Sequence, residues 1–244
     1  MDKVVIVTGA GGWLGSAIAT CFGQADDMVL LCDINKAAID DIAVKINQGR
    51  GKAATYVANT VLFDEVDAMV QHAIKLWGRV DVIVCVAGGV LSRLRRTTKA
   101  GEKLLIEYTD EDWDLVVDSN LKGAFQCIRA VAKPMMAQKD GHIILVGSAV
   151  GSQGGIKRSA YAASKAGMLG LMKCAAMELG EHNIRVNVVI PGRNPHPGEV
   201  SDPRGTILKR TNTPSDEVAP FFVQFSQLKN VSGQIVNLDS RIIF

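Results

Sequence analysis

Tyr161 and Lys165 stand four residues apart in the segment SAYAASKAGMLGLMKCAAMELG, residues 159–180. On a helix that spacing puts both side chains on one face. A free tyrosine has a pKa of about 10 and is a poor base at neutral pH; bringing it to about 7 takes roughly 4 kcal/mol of preference for the phenolate. An ammonium close by in a partly dry cleft can supply much of that, although such a pair also occurs by chance on many helices. Ser148 lies thirteen residues before Tyr161, closing the apolar run HIILVGS (142–148). A strand's carboxyl end is where a hydroxyl can meet a ligand, but alone Ser148 reads as a turn-forming serine. Asn120 shares a helical stripe with Trp113, Val117, Ala124, Ile128, Val131 and Met135 in the segment 110–137. A buried amide without partners costs about 1–3 kcal/mol, and backbone groups commonly supply them.

These side chains need a frame. Apolar runs recur at 4–8 (VVIVT), 28–33, 53–58, 80–87, 142–148, 184–191 and 233–239. They are continuous rather than alternating, as strands covered on both faces should be. Helix-period segments lie between most of them, which implies an α/β fold: a doubly wound parallel sheet of about seven strands with helices on both faces. Ligands then sit at the carboxyl ends of the strands, near the switch point. The helix at 159–180 can be capped by Ser159 and ended by Gly180. Gly167 and Gly170 inside it cost roughly 1 kcal/mol each and imply close packing against a neighbouring element or another subunit. The loop TGAGGWLG, residues 8–15, follows the first run. Gly9 and Gly11 fit the start of a G-x-G-x-x-G fingerprint, but Leu14 takes its third position.

Taken together, the glycine-rich turn, Asp33 closing the second run, Asn120, Ser148, the Y-x-x-x-K pair and IRVNVVIPG (184–192) resemble the short-chain dehydrogenase/reductase family in its compact single-domain branch. The resemblance runs from Val4 to Asp239. It implies a Rossmann-like fold and an oxidoreductase that interconverts a secondary alcohol and a ketone. Tyr161 would be the acid/base, Ser148 would hold the reacting oxygen, and Lys165 would bind the nicotinamide ribose and lower the Tyr161 pKa. Asn120 would anchor a water linking Lys165 to solvent. The first loop fits the glycine pattern of the family's extended branch through Thr8, Gly9, Gly12, Trp13 and Gly15, with the Trp13 ring expected to turn away from the phosphates. The expected cofactor contacts are Gly9, Gly12, Trp13 and Leu14, Asp33 and Ile34, Asn59 and Thr60, Ala87 and Gly88, Tyr161 and Lys165, and Pro191 and Gly192. Asp33 would bond the adenosine ribose and repel a 2′-phosphate, so NAD is expected over NADP.

The chain departs from the family pattern in several places. Cys85 and Val86 replace two asparagines after the fourth strand, Asn59 replaces an acid, His196 replaces a threonine, and DSR (239–241) replaces D-G-G. Residues 89–109 form a longer segment than the family usually has, holding Arg93, Arg95, Arg96, Lys99 and Lys103 against Glu102 and Glu107. A solvated loop is the ordinary explanation; steering of an anionic substrate is the alternative.

With 244 residues, 48% apolar and 21% charged residues and a net charge of +2, the chain fits one domain. It would carry a basic insertion near 91–105 and a variable substrate loop near 193–213. Charge and run lengths point to neither nucleic acid nor membrane, and the resemblance implies a small-molecule substrate, possibly anionic. Five scattered cysteines and no leader segment suggest a cytoplasmic protein. Four isolated histidines suggest no metal site. The resemblance implies a homotetramer or homodimer, with the helices at 110–137 and 159–180 forming one interface. Two other functions share these residues: a non-catalytic dinucleotide-binding regulatory or structural subunit, and an isomerase or lyase with retained NAD.

Overall fold

The computed structural model describes residues 2–96, 102–192, 207, 217–238 and 240. Seven parallel strands form one sheet: β1 Val4–Thr8, β2 Met28–Asp33, β3 Lys52–Val57, β4 Val82–Cys85, β5 Gly141–Val146, β6 Ile184–Ile190 and β7 Ile235–Asn237. Their spatial order is β3-β2-β1-β4-β5-β6-β7. The chain therefore reverses direction of winding between β1 and β4, and a crevice opens there at the carboxyl ends. Nine helices flank the sheet among the described residues: α1 Trp13–Gln24, α2 Lys36–Asn47, α3 Phe63–Trp77, α4 Leu91–Leu94, α5 Asp110–Val117, α6 Gly123–Gln138, α7 Val150–Gln153, α8 Ser159–Leu179 and α9 Ala219–Gln227.

Continuous apolar strands follow from two cores. Val4, Ile6, Ile83, Ile143 and Val186 point to one face and pack with Met69, Met135 and Met172. Val5, Val7, Val82, Val84 and Ile144 point to the other and pack with Ile18, Phe22, Ile39 and Phe222. Alternate residues of one strand thus serve opposite cores, so no polar face is left. β3 differs: it is only partly buried, because as an edge strand it has β2 as its one neighbour.

Three local expectations are corrected. The segment 110–137 is not one helix: a π-helical stretch, Asp118–Lys122, separates α5 from α6. Ser159 does not cap α8; Arg158 holds the cap position, and Ser159 Oγ is buried without a hydrogen-bond partner. Gly180 keeps right-handed helical geometry, and the left-handed stop falls on Asn183 after a 3-10 turn, Gly180–His182. Gly167 does pack closely, since a Cβ there would lie 2.9 Å from Leu121 Cδ2, whereas Gly170 meets nothing within 4 Å. The region 193–213 apart from Ile207, with His196, lies outside the described residues, as do Asp239 and residues 97–101 with Lys99.

Candidate active site

A cleft of about 410 Å³ opens at the carboxyl ends of the strands. It gathers every residue expected from the sequence: Gly9, Gly12, Trp13, Leu14, Asp33, Ile34, Asn59, Thr60, Ala87, Gly88, Asn120, Ser148, Tyr161, Lys165, Pro191 and Gly192 all line it.

The first loop is tight because two glycines allow it. Gly9 has φ +65°, and a Cβ there would lie 2.7 Å from the Ala87 nitrogen. A Cβ on Gly15 would lie 2.1 Å from the Gly9 carbonyl oxygen. The start of α1 is thereby pressed against the loop, with no acidic side chain in its first turn and no side-chain cap. Such a terminus favours an anion. Trp13 sits there, 39% exposed.

Asp33 closes β2. Its Oδ2 accepts the Gly11 N–H at 3.0 Å and its Oδ1 accepts the Asn35 N–H at 2.9 Å. The carboxylate braces two turns and keeps further acceptor capacity on each oxygen. Asn59 Oδ1 accepts the Val61 N–H at 3.1 Å. Together, the glycine cradle, the uncapped helix start and an acceptor at the end of β2 fit a dinucleotide, with pyrophosphate at α1 and a ribose at Asp33.

At the other end of the cleft, α8 presents Tyr161 and Lys165. Lys165 is buried; its Nζ donates to the Val146 carbonyl at 2.8 Å and lies 5.6 Å from the centre of the Tyr161 ring. Ser148 lies two residues beyond β5, lines the cleft with Tyr161, and its Oγ accepts the Val150 N–H at 3.3 Å. Asn120 sits in the π-helical stretch, a feature common at functional sites. Its Nδ2 donates to the Val116 and Gly89 carbonyls, both at 2.8 Å. Its Oδ1 is buried without a hydrogen-bond partner in the protein. That oxygen faces Gly88, where a Cβ would lie 2.5 Å away.

Burial holds the Tyr161 phenol above its ordinary value, outweighing the downward pull of Ser148, Arg93 and Arg158. Burial also lowers Lys165 to about 8. Lys165 is thus not among the groups that lower the Tyr161 phenol, and its ammonium is turned to the Val146 carbonyl. Arg93 and Leu94 also line the cleft. Sequence reasoning placed Arg93 only within a run of cations, and nothing in the sequence separates it from its neighbours.

A parallel sheet with this strand order and a glycine-lined cleft at its switch point define a Rossmann-like fold, and comparison with known proteins gives the family. The chain belongs to the short-chain dehydrogenase/reductase family: residues 3–194 match the family described as short chain dehydrogenase. Among its relatives is the 3-oxoacyl-[acyl-carrier-protein] reductase FabG of Thermotoga maritima, 34% identical across 99% of this chain and 98% of that protein. The protein of the same name from Chlamydia muridarum is 30% identical over 98% of this chain and 96% of its own length. That of one Staphylococcus epidermidis strain is 37% identical over 79% of this chain and 75% of its own length. The chain is thus an oxidoreductase of a family that uses a nicotinamide dinucleotide, in the FabG-like branch. No helix among the described residues is long and apolar enough to cross a membrane.

Proposed function

We propose that this enzyme uses NAD to interconvert a secondary alcohol and a ketone, with Tyr161 as general acid/base. The observation that carries this is the meeting of Tyr161, Ser148 and Lys165 in one cleft with the glycine loop. The names of the relatives, reductases of a 3-oxoacyl group, support the ketone–alcohol pair. When bound, the dinucleotide supplies the hydride donor or acceptor.

The side chains would do the rest. A phenol held above its ordinary pKa is protonated at neutral pH, so in the reducing direction Tyr161 can deliver its proton to the carbonyl oxygen. Ser148, which lines the cleft beside that phenol, would hold the same oxygen. Lys165 would bind the nicotinamide ribose, and the Asn120 Oδ1 would anchor a water between Lys165 and solvent. Gly9, Gly12, Trp13, Leu14, Ala87, Gly88, Pro191 and Gly192 would contact the dinucleotide, with Ile34, Asn59 and Thr60 near its adenine. The preference for NAD rests on the Asp33 carboxylate. A homotetramer or homodimer is proposed through α5, α6 and α8. Trp113, Phe125 and Met177 on these helices are exposed. The cytoplasmic placement rests on the five free cysteines.

The test is a panel of ketones and secondary alcohols with NAD(H) and NADP(H). Replacing Tyr161 by Phe should lower kcat by about 10²–10⁴-fold, the usual worth of general acid–base catalysis, with dinucleotide affinity retained. Wild-type turnover in Tyr161→Phe refutes the mechanism. Tight dinucleotide binding with no turnover on any pair points to a regulatory subunit, and turnover without net change in NADH points to an isomerase or lyase.

A further inference from the structure

The long segment after β4 gives the cleft an apolar wall beside Tyr161. α4 carries Leu91, which is buried, and Leu94, which is half-buried. Both belong to a small apolar cluster with Val116 of α5 and Ala160 of α8, and Tyr161 packs against the same cluster. Leu94 also lines the cleft together with Ser148 and Tyr161. Of the described residues in 89–109, Gly89, Arg93 and Leu94 line the cleft, so Leu94 is the apolar side chain that the segment places there.

That wall is fastened from several directions. The Leu94 N–H donates to the Val90 carbonyl at 3.0 Å. Arg95, the next residue, places its Nε 2.6 Å from Oδ1 of Asp112, a buried carboxylate of α5, and Lys103 bonds the other oxygen. Arg158, which precedes α8, pairs with the buried Glu102 at 3.0 Å. These ion pairs tie the segment to α5 and to the start of α8, on either side of Leu94. A packed and anchored wall yields little, so a group that faces it must fit the space left. A leucine side chain has no hydrogen bond to offer, so what it can select is apolar bulk.

We propose that Leu94 determines specificity by bounding the space for an unbranched alkyl group on the reacting carbon, so that the enzyme selects its ketone or alcohol by chain length. This rests on the oxidoreductase reading of the same cleft. A carbonyl oxygen held at the Tyr161 hydroxyl leaves the reacting carbon one bond away, and the substituent on the side of α4 meets Leu94. The probes lengthen that substituent and nothing else. They are methyl ketones and the N-acetylcysteamine thioesters of 3-oxo acids, each with an unbranched alkyl group of one to seven carbons on the reacting carbon.

For wild type, Leu94→Ala, Leu94→Phe and Leu94→Met, both kcat/KM and the Kd in the presence of dinucleotide are measured along each series, with melting temperature as the control for folding. The quantity read is the ratio of the longest to the shortest member. Both are measured on the same protein, so a loss of folded enzyme cancels. In Leu94→Ala the ratio should rise by about 10–100-fold, the worth of one or two methylenes in an apolar pocket. In Leu94→Phe it should fall by a similar factor, and Leu94→Met, of nearly equal volume, should stay within about threefold of wild type. Ratios that stay the same in both Leu94→Ala and Leu94→Phe, or that move in the same direction in both, overturn the proposal. Length-selective binding that shifts with Leu94 but brings no turnover leaves Leu94 standing and removes the oxidoreductase reading; turnover with an unshifted ratio does the reverse. Neither binding nor turnover of any member of either series overturns both.

Discussion

Lys165 is an expensive residue to fold around, and the expense can be measured. Its ammonium is buried, with the Val146 carbonyl as its hydrogen-bond acceptor. Burial lowers its pKa from 10.5 to about 8. At 1.36 kcal/mol per unit, the folded state disfavours the charged form by about 3 kcal/mol relative to the unfolded chain. Below pH 8 both states bind the proton and the folded protein bears this cost in full. Between about 8 and 10.5 the folded state has released its proton while the unfolded chain still holds it, so stability rises with pH and the cost is lost. In Lys165→Met the term is absent. Urea-unfolding free energies of both proteins should therefore converge in a defined direction: from pH 7 to pH 10 the wild type should gain about 2–3 kcal/mol relative to Lys165→Met. Groups that titrate alike in both proteins cancel in the difference. At pH 7 the variant also loses the hydrogen bond to Val146, which offsets part of its advantage, but that offset does not carry the pH slope. Parallel stability curves would refute the claim that this ammonium is uncompensated. Activity should be lost in the variant at every pH, so the protein keeps at pH 7 a charge that its fold does not want.

Two further outcomes follow from specific contacts. Asp33→Asn leaves an acceptor for only one of the Gly11 and Asn35 N–H groups and removes a negative charge facing the cleft; the ratio of kcat/KM for NAD over NADP should fall by at least about tenfold, and an unchanged ratio would leave Asp33 with its bracing role alone. Ser159→Ala removes a buried hydroxyl that has no hydrogen-bond partner; it should stabilise the protein by about 1–2 kcal/mol in urea unfolding with kcat unchanged, and destabilisation would show that the hydroxyl is satisfied.

The strands were legible because burial on both faces leaves a signature that a one-sided strand lacks. VVIVT and MVLLCD coincide with β1 and β2 residue for residue. The cleft was legible for a related reason: residues at strand ends are neighbours in space whenever the strands are parallel. What resisted reading depends on single turns or on solvation. Asn120 shares a helical stripe in the sequence, and nothing in DSNLK announces the π-helical widening that points its Nδ2 at the Gly89 carbonyl. Ser159 has the right residue type for a cap and sits one position too late. The sign of the Tyr161 shift could not be read either, because it is the balance between burial and nearby charge. Spacing reports the neighbours, not the dryness.

The chain's departures from the family pattern leave the wall of the cleft standing. The two positions after β4 that usually carry amides are Cys85 and Val86, yet the rim of the cleft there is held without them. Thr8 Oγ1 accepts the Val86 and Ala87 N–H groups at 3.2 and 3.3 Å. Asn120 Nδ2 takes the Gly89 carbonyl from the other side. Both braces grip main chain, so the side chains between them are free to change without moving the wall. Cys85 turns its thiol into the core, against Cys127, while Val86 packs on the opposite core. The Lys165 ammonium is held from β5 instead, by the Val146 carbonyl at 2.8 Å. The departures after β4 thus fall on side chains that the wall of the cleft does not depend on, because both braces grip main chain, and the low pKa of Lys165 follows from its burial.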